Sequence, residues 1–416
     1  MFSVLVHAQD TVKVMQYNLL YYGQTSSFCT TTNNNETAKD GYLRTIIKYA
    51  KPDIFTVNEI AISSTQHQHL LNNCLNVDGV SYYNKCNFSN QSSSDLSNEL
   101  YFNSEKLGFS KQVNIATSVR DINIYKLYYK SWNLGNTHDT AFVTCIIMDL
   151  KAGSTASDIA DRATETNTLI NYLATLGVKD NYMVMGDFNV YSGTEQCYQN
   201  LLNPTNQNVK FNDPINQVGD WHGNYSYAAI HTQSTHTASS GCYVTGGLDD
   251  RFDHIMISDY IRDGAKHVLY FTGSYKTIGQ DGHHFNDSLT YGVNNSAPDS
   301  VIQALFGMSD HLPVSLMLRI DQTVGVNNVA EPTFLNVVFE NPVEADMAVT
   351  IELSVKEKLT VEVINILGQP VYSAMTTNES SVVNMILPTK FLDKGIYFLK
   401  ITDSKNNCTV RKFVKE

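Results

Sequence analysis

Apolar positions recur along the chain at two spacings, and each change from one to the other marks an element. Residues 12–19, 53–58, 99–102, 113–116, 141–150, 182–185, 252–257 and 314–320 are short runs rich in β-branched and aromatic residues, which predicts strands. Residues 42–49 predict a helix closed by Lys51-Pro52. Within 158–176, Ile159, Ala163, Leu169, Ile170, Leu173 and Leu176 repeat at helical spacing, with Gly177 behind them as a C-cap signal. Strands and helices interleaved in this way indicate a layered α/β domain over residues 9–320. Residues 87–98 and 231–247 are rich in Ser, Thr, Asn and Gly and predict loops.

Past residues 321–332, a polar stretch expected to be a linker, the texture changes. Residues 348–353, 359–366, 382–386, 396–401 and 409–414 are short alternating runs. Gly368-Gln369-Pro370, Asp393-Lys394-Gly395 and Asp403-Ser404-Lys405-Asn406 separate them. That is the pattern of a small all-β sandwich over residues 333–416.

Composition narrows the picture. Lys and Arg number 29 against 41 Asp and Glu, a net charge of −12. A chain that coats nucleic acid through phosphate neutralisation needs the opposite balance. An enzyme that meets phosphate through a bound cation does not. The cleanest apolar run, 141–148, is broken by Thr144, and nothing approaches the ~20 apolar residues that span a bilayer. Residues 1–8, apolar and ending Val6-His7-Ala8, resemble the tail of a secretory signal, although no basic residue precedes them. The seven cysteines include no CxxC pair, so zinc ribbons and thioredoxin-like redox motifs have no spacing to rest on.

Candidate chemistry gathers at strand ends, where ligand sites of α/β proteins lie. Asn18 ends the first strand and Glu59 the second. Gly186-Asp187-Phe188-Asn189 follows 182–185, Asp253 lies in Arg251-Phe252-Asp253-His254, and Ser309-Asp310-His311 precedes 314–320. Glu59 and Asp310 offer hard anionic oxygens and Asn18 a neutral one, a donor set suited to Mg²⁺, with Mn²⁺ or Ca²⁺ as alternatives. Asp187 is a candidate to orient or deprotonate water, with Asn189 holding phosphate or water. His311 is a candidate proton donor whose tautomer Asp253 would fix. His67, His69, His231 and His236 are expected to be surface or loop residues without ligand roles.

In this order, Val14-Met15-Gln16-Tyr17-Asn18, Asp53 to Glu59, Gly186-Asp187-Phe188-Asn189, Asp250-Arg251-Phe252-Asp253 and Ser309 to Val314 resemble the endonuclease/exonuclease/phosphatase superfamily. The resemblance implies a four-layer, DNase-like α/β/β/α sandwich and metal-dependent phosphoester hydrolysis. It also implies a second catalytic His before Leu150-Lys151-Ala152-Gly153, where this chain has Asp149. Asp149 thus stands as a substitute base, a second metal ligand, a structural cap, or the mark of a weakened enzyme. Pancreatic-type DNases bridge cysteines near 197 and 242, so the resemblance implies a Cys197–Cys242 disulfide. Cys29, Cys74 and Cys86 are candidates for another, and Cys145 is expected to be free.

The C-terminal segment carries its own resemblance. Asn341-Pro342-Val343, Val363 to Tyr372, Leu392 to Phe398 and Arg411 to Lys415 look like a type A sorting domain of type IX secretion. It implies contact with that machinery through residues 333–416, and release or surface attachment outside a Gram-negative cell. The expected activity is that of a secreted, monomeric phosphodiesterase, foremost a nuclease acting on DNA or RNA. The alternatives are a phospholipid or sphingomyelin phosphodiesterase, for which residues 125–132 would be a membrane-contacting segment, and a degenerate binding protein.

Overall fold

A computed structural model describes residues 8–131, 134, 140–238, 241–322, 334–376, 379–404 and 408–416, in two compact units divided at Val324/Gly325. The signal-like residues 1–7 and most of the expected linker lie outside the described residues. The last strand of the first unit runs to Gln322, two positions into that linker.

The first unit holds two facing sheets. One is built from β1 (Ala8–Tyr22), β2 (Ile54–Ala61), β3 (Tyr83–Lys85), β4 (Leu96–Asn103), β11 (Val268–Tyr270), β12 (Lys276–Thr277) and β13 (Val314–Gln322), in the order β11-β13-β1-β2-β4-β3 with β12 also on β13. The other is built from β5 (Leu107–Ile115), β6 (Ile122–Tyr129), β7 (Phe142–Asp149), β8 (Tyr182–Asp187), β9 (Phe211–Asn212) and β10 (Asp253–Ser258), in the order β5-β6-β7-β8-β10-β9. The strand expected at 99–102 begins three positions earlier, inside the expected loop 87–98.

Three apolar layers show why four layers stack. Val12, Val14, Leu127, Cys145, Ile147, Met185, Ile255 and Leu316 fill the space between the sheets. On the outer face of the first sheet, Met15, Tyr17 and Leu19 meet α1 (Glu36–Ala50), α2 (Ser64–Leu70) and α6 (Asp299–Met308) through Leu43, Ile46, Leu70 and Leu305. On the outer face of the second, Ile146 and Val184 meet α3 (Ala156–Leu176) and α4 (Gln196–Leu202) through Leu169, Leu173, Tyr198 and Leu201; α5 (Asp259–Asp263) is a short turn after β10. Alternate residues of β1 therefore enter different cores, which is why the strand reads as one apolar run. The expected α/β/β/α sandwich is what forms. The helix expected at 158–176 is α3, opened by a Thr155–Asp158 capping box and closed by Gly177 in the left-handed region.

The second unit is the expected β-sandwich. Strands β14 (Phe334–Phe339), β15 (Met347–Glu357) and β18 (Ser380–Leu387) face β16 (Thr360–Ile364), β17 (Pro370–Met375), β19 (Gly395–Thr402) and β20 (Cys408–Lys415). Val349, Ile351, Val361, Val363, Leu399, Ile401 and Phe413 form the core between them. Among the described residues no helix is long and apolar enough to cross a membrane.

Several sequence expectations are corrected. The disulfide joins Cys29 to Cys242, with Cα atoms 4.5 Å apart, and not Cys197 to Cys242. Cys197 is buried on α4 in the outer core of the second sheet, while Cys242 packs with Leu20 and Cys29 beside Tyr21 and Tyr243. Cys74, Cys86 and Cys145 are free and buried. His67 is a core residue, its ring held by Glu99 at 2.7 Å and by Ala61 O and Ser97 Oγ. His231 is buried against Trp221 O at 2.9 Å, and His236 stacks between Tyr243 and Phe306. Of the segment weighed as a membrane contact, Tyr125, Leu127 and Tyr129 are buried on β6 between the sheets, and Trp132 lies outside the described residues.

Candidate active site

Strand register brings the distant candidates to one edge. β1 and β2 run parallel with Asn18 opposite Asn58; β7 and β8 run parallel with Asp149 opposite Asp187. Antiparallel β10 sets Asp253 opposite Asp187, and β13, antiparallel to β1 with Val314 opposite Gln16, delivers Ser309, Asp310 and His311 to the same end. The two sheets are stitched together here: Asn18 Nδ2 donates to Asp187 Oδ2 at 3.0 Å, and the Asp187 N–H donates to Asn58 Oδ1 at 3.1 Å. Behind them Asn58, Asn98 and Asn123 form a buried amide ladder, each Nδ2 donating to the next carbonyl.

Local backbone departs from regular strand where the side chains are needed. The ladders shift register between Asn18 and Tyr22 and between Val57 and Ile60. Leu20, Tyr21, Glu59 and Asn189 all take left-handed φ values near 50°. Bulges and such conformations cluster where a side chain must be re-aimed. Gly186 has a different reason: a Cβ there would lie 1.7 Å from Met148 O, so only glycine lets β8 approach β7 beside Asp149 and Asp187.

Asp253, His311 and Asp187 form a short, buried chain. His311 Nδ1 meets Asp253 Oδ2 at 2.7 Å, and Nε2 lies 2.7 Å from the Gln233 side-chain amide, 3.6 Å from Asp187 Oδ2 and 4.0 Å from Asp310 Oδ1. The oxygen of that amide faces the ring when both ring nitrogens carry protons. His311, Asp187, Asp253 and Asp310 are all buried. Burial works to discharge His311, but the carboxylates of Asp253 and Asp187 outweigh it and hold the imidazolium well above its ordinary range. Burial, with the charges of Asp253 and Glu59, lifts Asp187 to about 7 against the opposing pull of His311. Asn189 braces this carboxylate: its N–H donates to Asp187 Oδ1 at 3.0 Å and its Nδ2 to Leu150 O at 3.0 Å.

Asp149 has a partner that sequence reading missed. Arg120 Nη1 donates to its Oδ1 at 2.9 Å, and both side chains are largely buried. Arg120 also lines an open cavity of about 420 Å³ with Ser118, Val119, Lys151, Ala152 and Asp161. Nothing in its local sequence marks it; only the pairing of β6 with β7 brings it to Asp149. Gln233 and the Val244 N–H, which donates to Asp310 Oδ2 at 2.9 Å, were missed for the same reason, since both arrive from the polar stretch 231–247.

Asp310 Oδ1, Asp149 Oδ2 and Asp253 Oδ1 are buried without a hydrogen-bond partner. A buried anionic oxygen in that state is expensive unless a cation serves it. Burial first, then the charge of Glu59, raises Asp310 above the usual carboxylate range. Asp310 therefore fits a hard cation, and Glu59, whose oxygens accept from Asn18 Nδ2 and the Tyr21 N–H, adds a second carboxylate to the set. Asn18 does not offer the oxygen expected of it: Oδ1 accepts from Leu20 N–H at 2.9 Å, while Nδ2 ties Glu59 Oε1 to Asp187. A second group, His222, Asp249 and Asp250, also brings ligand atoms within 4.8 Å of one another, with His222 Nδ1 already on Asp250 at 2.8 Å.

Comparison with solved structures returns chains of low identity. The catalytic domain of human nocturnin with bound sulfate is 15% identical over 74% of this chain and 97% of its own, with a TM-score of 0.44. TDP2 of D. rerio complexed with a single-strand DNA product is 13% identical over 74% and 98%, with a TM-score of 0.45. An endonuclease/exonuclease/phosphatase from Bacteroides vulgatus is 15% identical over 75% and 99%, with a TM-score of 0.45. No curated protein matches the chain in sequence. Residues 337–416 match the family model of the secretion system C-terminal sorting domain. The chain thus carries, as its second unit, the type IX sorting domain legible in its sequence, and with it the mark of secretion or attachment at the cell surface.

Proposed function

We propose that the first unit is a metal-dependent phosphodiesterase, foremost a nuclease acting on DNA or RNA outside the cell. The observation that carries this reading is the buried chain Asp253–His311–Asp187, set beside carboxylate oxygens that no protein donor satisfies. Such a site suits in-line attack of water on phosphorus. Asp187, poised near neutrality, takes a proton from the water as its oxygen bonds to phosphorus and the ester oxygen leaves. His311, held cationic by Asp253, donates a hydrogen bond to a phosphoryl oxygen as charge builds there. Asn189 keeps Asp187 aimed, and Asn18 keeps Asp187 and Glu59 at a fixed separation. A divalent cation held by Glu59 and Asp310 would neutralise and polarise the phosphoryl group. Arg120 supplies a further positive charge to an otherwise acidic site, and Asp149 serves to hold it there.

The lipid alternative is disfavoured by the burial of Tyr125, Leu127 and Tyr129, which leaves β6 without an apolar surface to enter a bilayer. The test is hydrolysis of plasmid DNA, RNA and sphingomyelin vesicles by the full chain, with Mg²⁺ or with EDTA. Cleavage of nucleic acid in Mg²⁺ alone is the expected result. Cleavage of lipid without nucleic acid would reassign the substrate, and silence on all three would overturn the enzymatic reading.

A further inference from the structure

Beneath the site lies a buried lysine that the mechanism does not use. Lys39, on the first turns of α1, is 2% exposed, and its ammonium is shared among three acceptors: Leu19 O at 2.7 Å, Leu20 O at 2.5 Å and Asn34 Oδ1 at 2.6 Å. All three donors are thus spent on neutral oxygens, an arrangement suited to the charged form. Asn34 completes the bracket, since its Nδ2 donates to Tyr21 O at 2.9 Å. The backbone so gripped is the turn in which Leu20 and Tyr21 are both left-handed, which neither side chain favours.

The same turn carries the site. The Leu20 N–H donates to Asn18 Oδ1 at 2.9 Å and the Tyr21 N–H to Glu59 Oε2 at 3.3 Å. Asn18 in turn bonds Glu59 Oε1 and Asp187 Oδ2. Carbonyls of residues 19–21 are therefore pinned from below while the amides of Leu20 and Tyr21 hold Asn18 and Glu59 above. We propose that Lys39 is a positioning residue: it locks the 19–21 turn so that Glu59, held by Asn18 and the Tyr21 N–H, forms with Asp310 a preformed cation site. Burial draws the ammonium down to about 7 while Asp310 and Glu59 push it up, which places Lys39 within electrostatic reach of both expected ligands.

This rests on the functional reading above, and one comparison separates the two. A lysine that merely balanced the carboxylates would weaken cation binding by repulsion, so its removal would tighten the site. A lysine that positions the turn would loosen the site when removed. Mn²⁺ binding to the full-length chain is measured by calorimetry for the wild type, Lys39→Met and Lys39→Arg, with folding checked by circular dichroism. Positioning predicts a Kd for Mn²⁺ raised roughly ten- to a hundredfold in Lys39→Met, the usual effect of losing a group that orients a ligand. It also predicts recovery of hydrolysis at high Mn²⁺ and a smaller change in Lys39→Arg. Asn34→Ala, which keeps the ammonium but removes one of its acceptors and leaves Tyr21 O only the Gln24 N–H, serves if Lys39→Met does not fold, and should raise the Kd in the same direction. An unchanged or lower Kd in a folded variant overturns the proposal. A wild type that binds no Mn²⁺ overturns the functional reading and the positioning role with it.

Discussion

Replacing Gly186 with alanine tests whether close approach of β7 and β8 builds the site. The added Cβ would lie 1.7 Å from Met148 O, and the atom in its way is backbone, which has no rotamer to escape into. An ordinary carbon–oxygen contact is about 3.3 Å, so the strands must part locally by roughly 1.6 Å. That exceeds what an N–H···O bond tolerates, and the ladder pairs flanking Met148/Gly186 should weaken or break, at about 0.5–1.5 kcal/mol each. The φ of 143° adds about 1–3 kcal/mol of strain for a residue with a Cβ. Together the expected loss is about 3–5 kcal/mol, read as a lower urea midpoint with an unchanged m-value. Asp149 and Asp187 are the next register pair, so phosphodiester hydrolysis in the folded fraction should fall at least tenfold. A variant within about 1 kcal/mol of wild type and fully active would refute the reasoning.

Further predictions follow from the same contacts. Cys29→Ser should destabilise the first unit by about 2–5 kcal/mol in urea titration, because the disulfide closes a loop between residues 213 apart; it should also slow hydrolysis, since Cys242 precedes the Val244 N–H that holds Asp310. Asp149→Asn should lower kcat less than tenfold while raising KM for DNA, because the carboxylate holds Arg120 and performs no proton transfer; a loss beyond a hundredfold in kcat would make it a base. The buried histidines should draw stability down on acidification from pH 6.5 toward 4, against the raised carboxylates Asp187 and Asp310, so the urea midpoint of His236→Phe should fall less, or rise more, than that of the wild type over this range. Burial holds His236 down to about 4 and lowers His231 and His254 also, so the unfolded chain takes up protons first. The two slopes should differ by about 1 kcal/mol per pH unit, reduced where solvent reaches the ring, and parallel midpoints in the two proteins would contradict it.

What the sequence disclosed and what it withheld have a common cause. Glu59, Asp187, Asp253, Asp310 and His311 were legible because each sits at the end of a strand whose apolar run announces it, and the strand order assembles them. Arg120, Gln233, Val244 and Lys39 gave no such signal, since Arg120 is brought in by strand pairing, Gln233 and Val244 by a polar loop and Lys39 by a helix. His67 misled for the opposite reason: its polar surroundings in sequence hide a ring bonded to Glu99 at 2.7 Å in the core. The cysteine pairing failed because loops 213 residues apart in sequence meet in space, a fact carried by no local pattern. Asn18 was found but its orientation was not, because which end of a carboxamide faces a cluster depends on its hydrogen-bond partners.

The most direct test is the initial rate of DNA hydrolysis in Mg²⁺ by full-length wild type, Asp187→Asn and His311→Ala, each confirmed folded. If Asp187 takes the proton of water and His311 steadies the phosphoryl oxygen, each variant should lose about 10²–10⁴ in kcat while still binding DNA, and EDTA should silence the wild type. Hydrolysis that persists within tenfold in either folded variant would contradict the assignment of this buried chain as the catalytic centre.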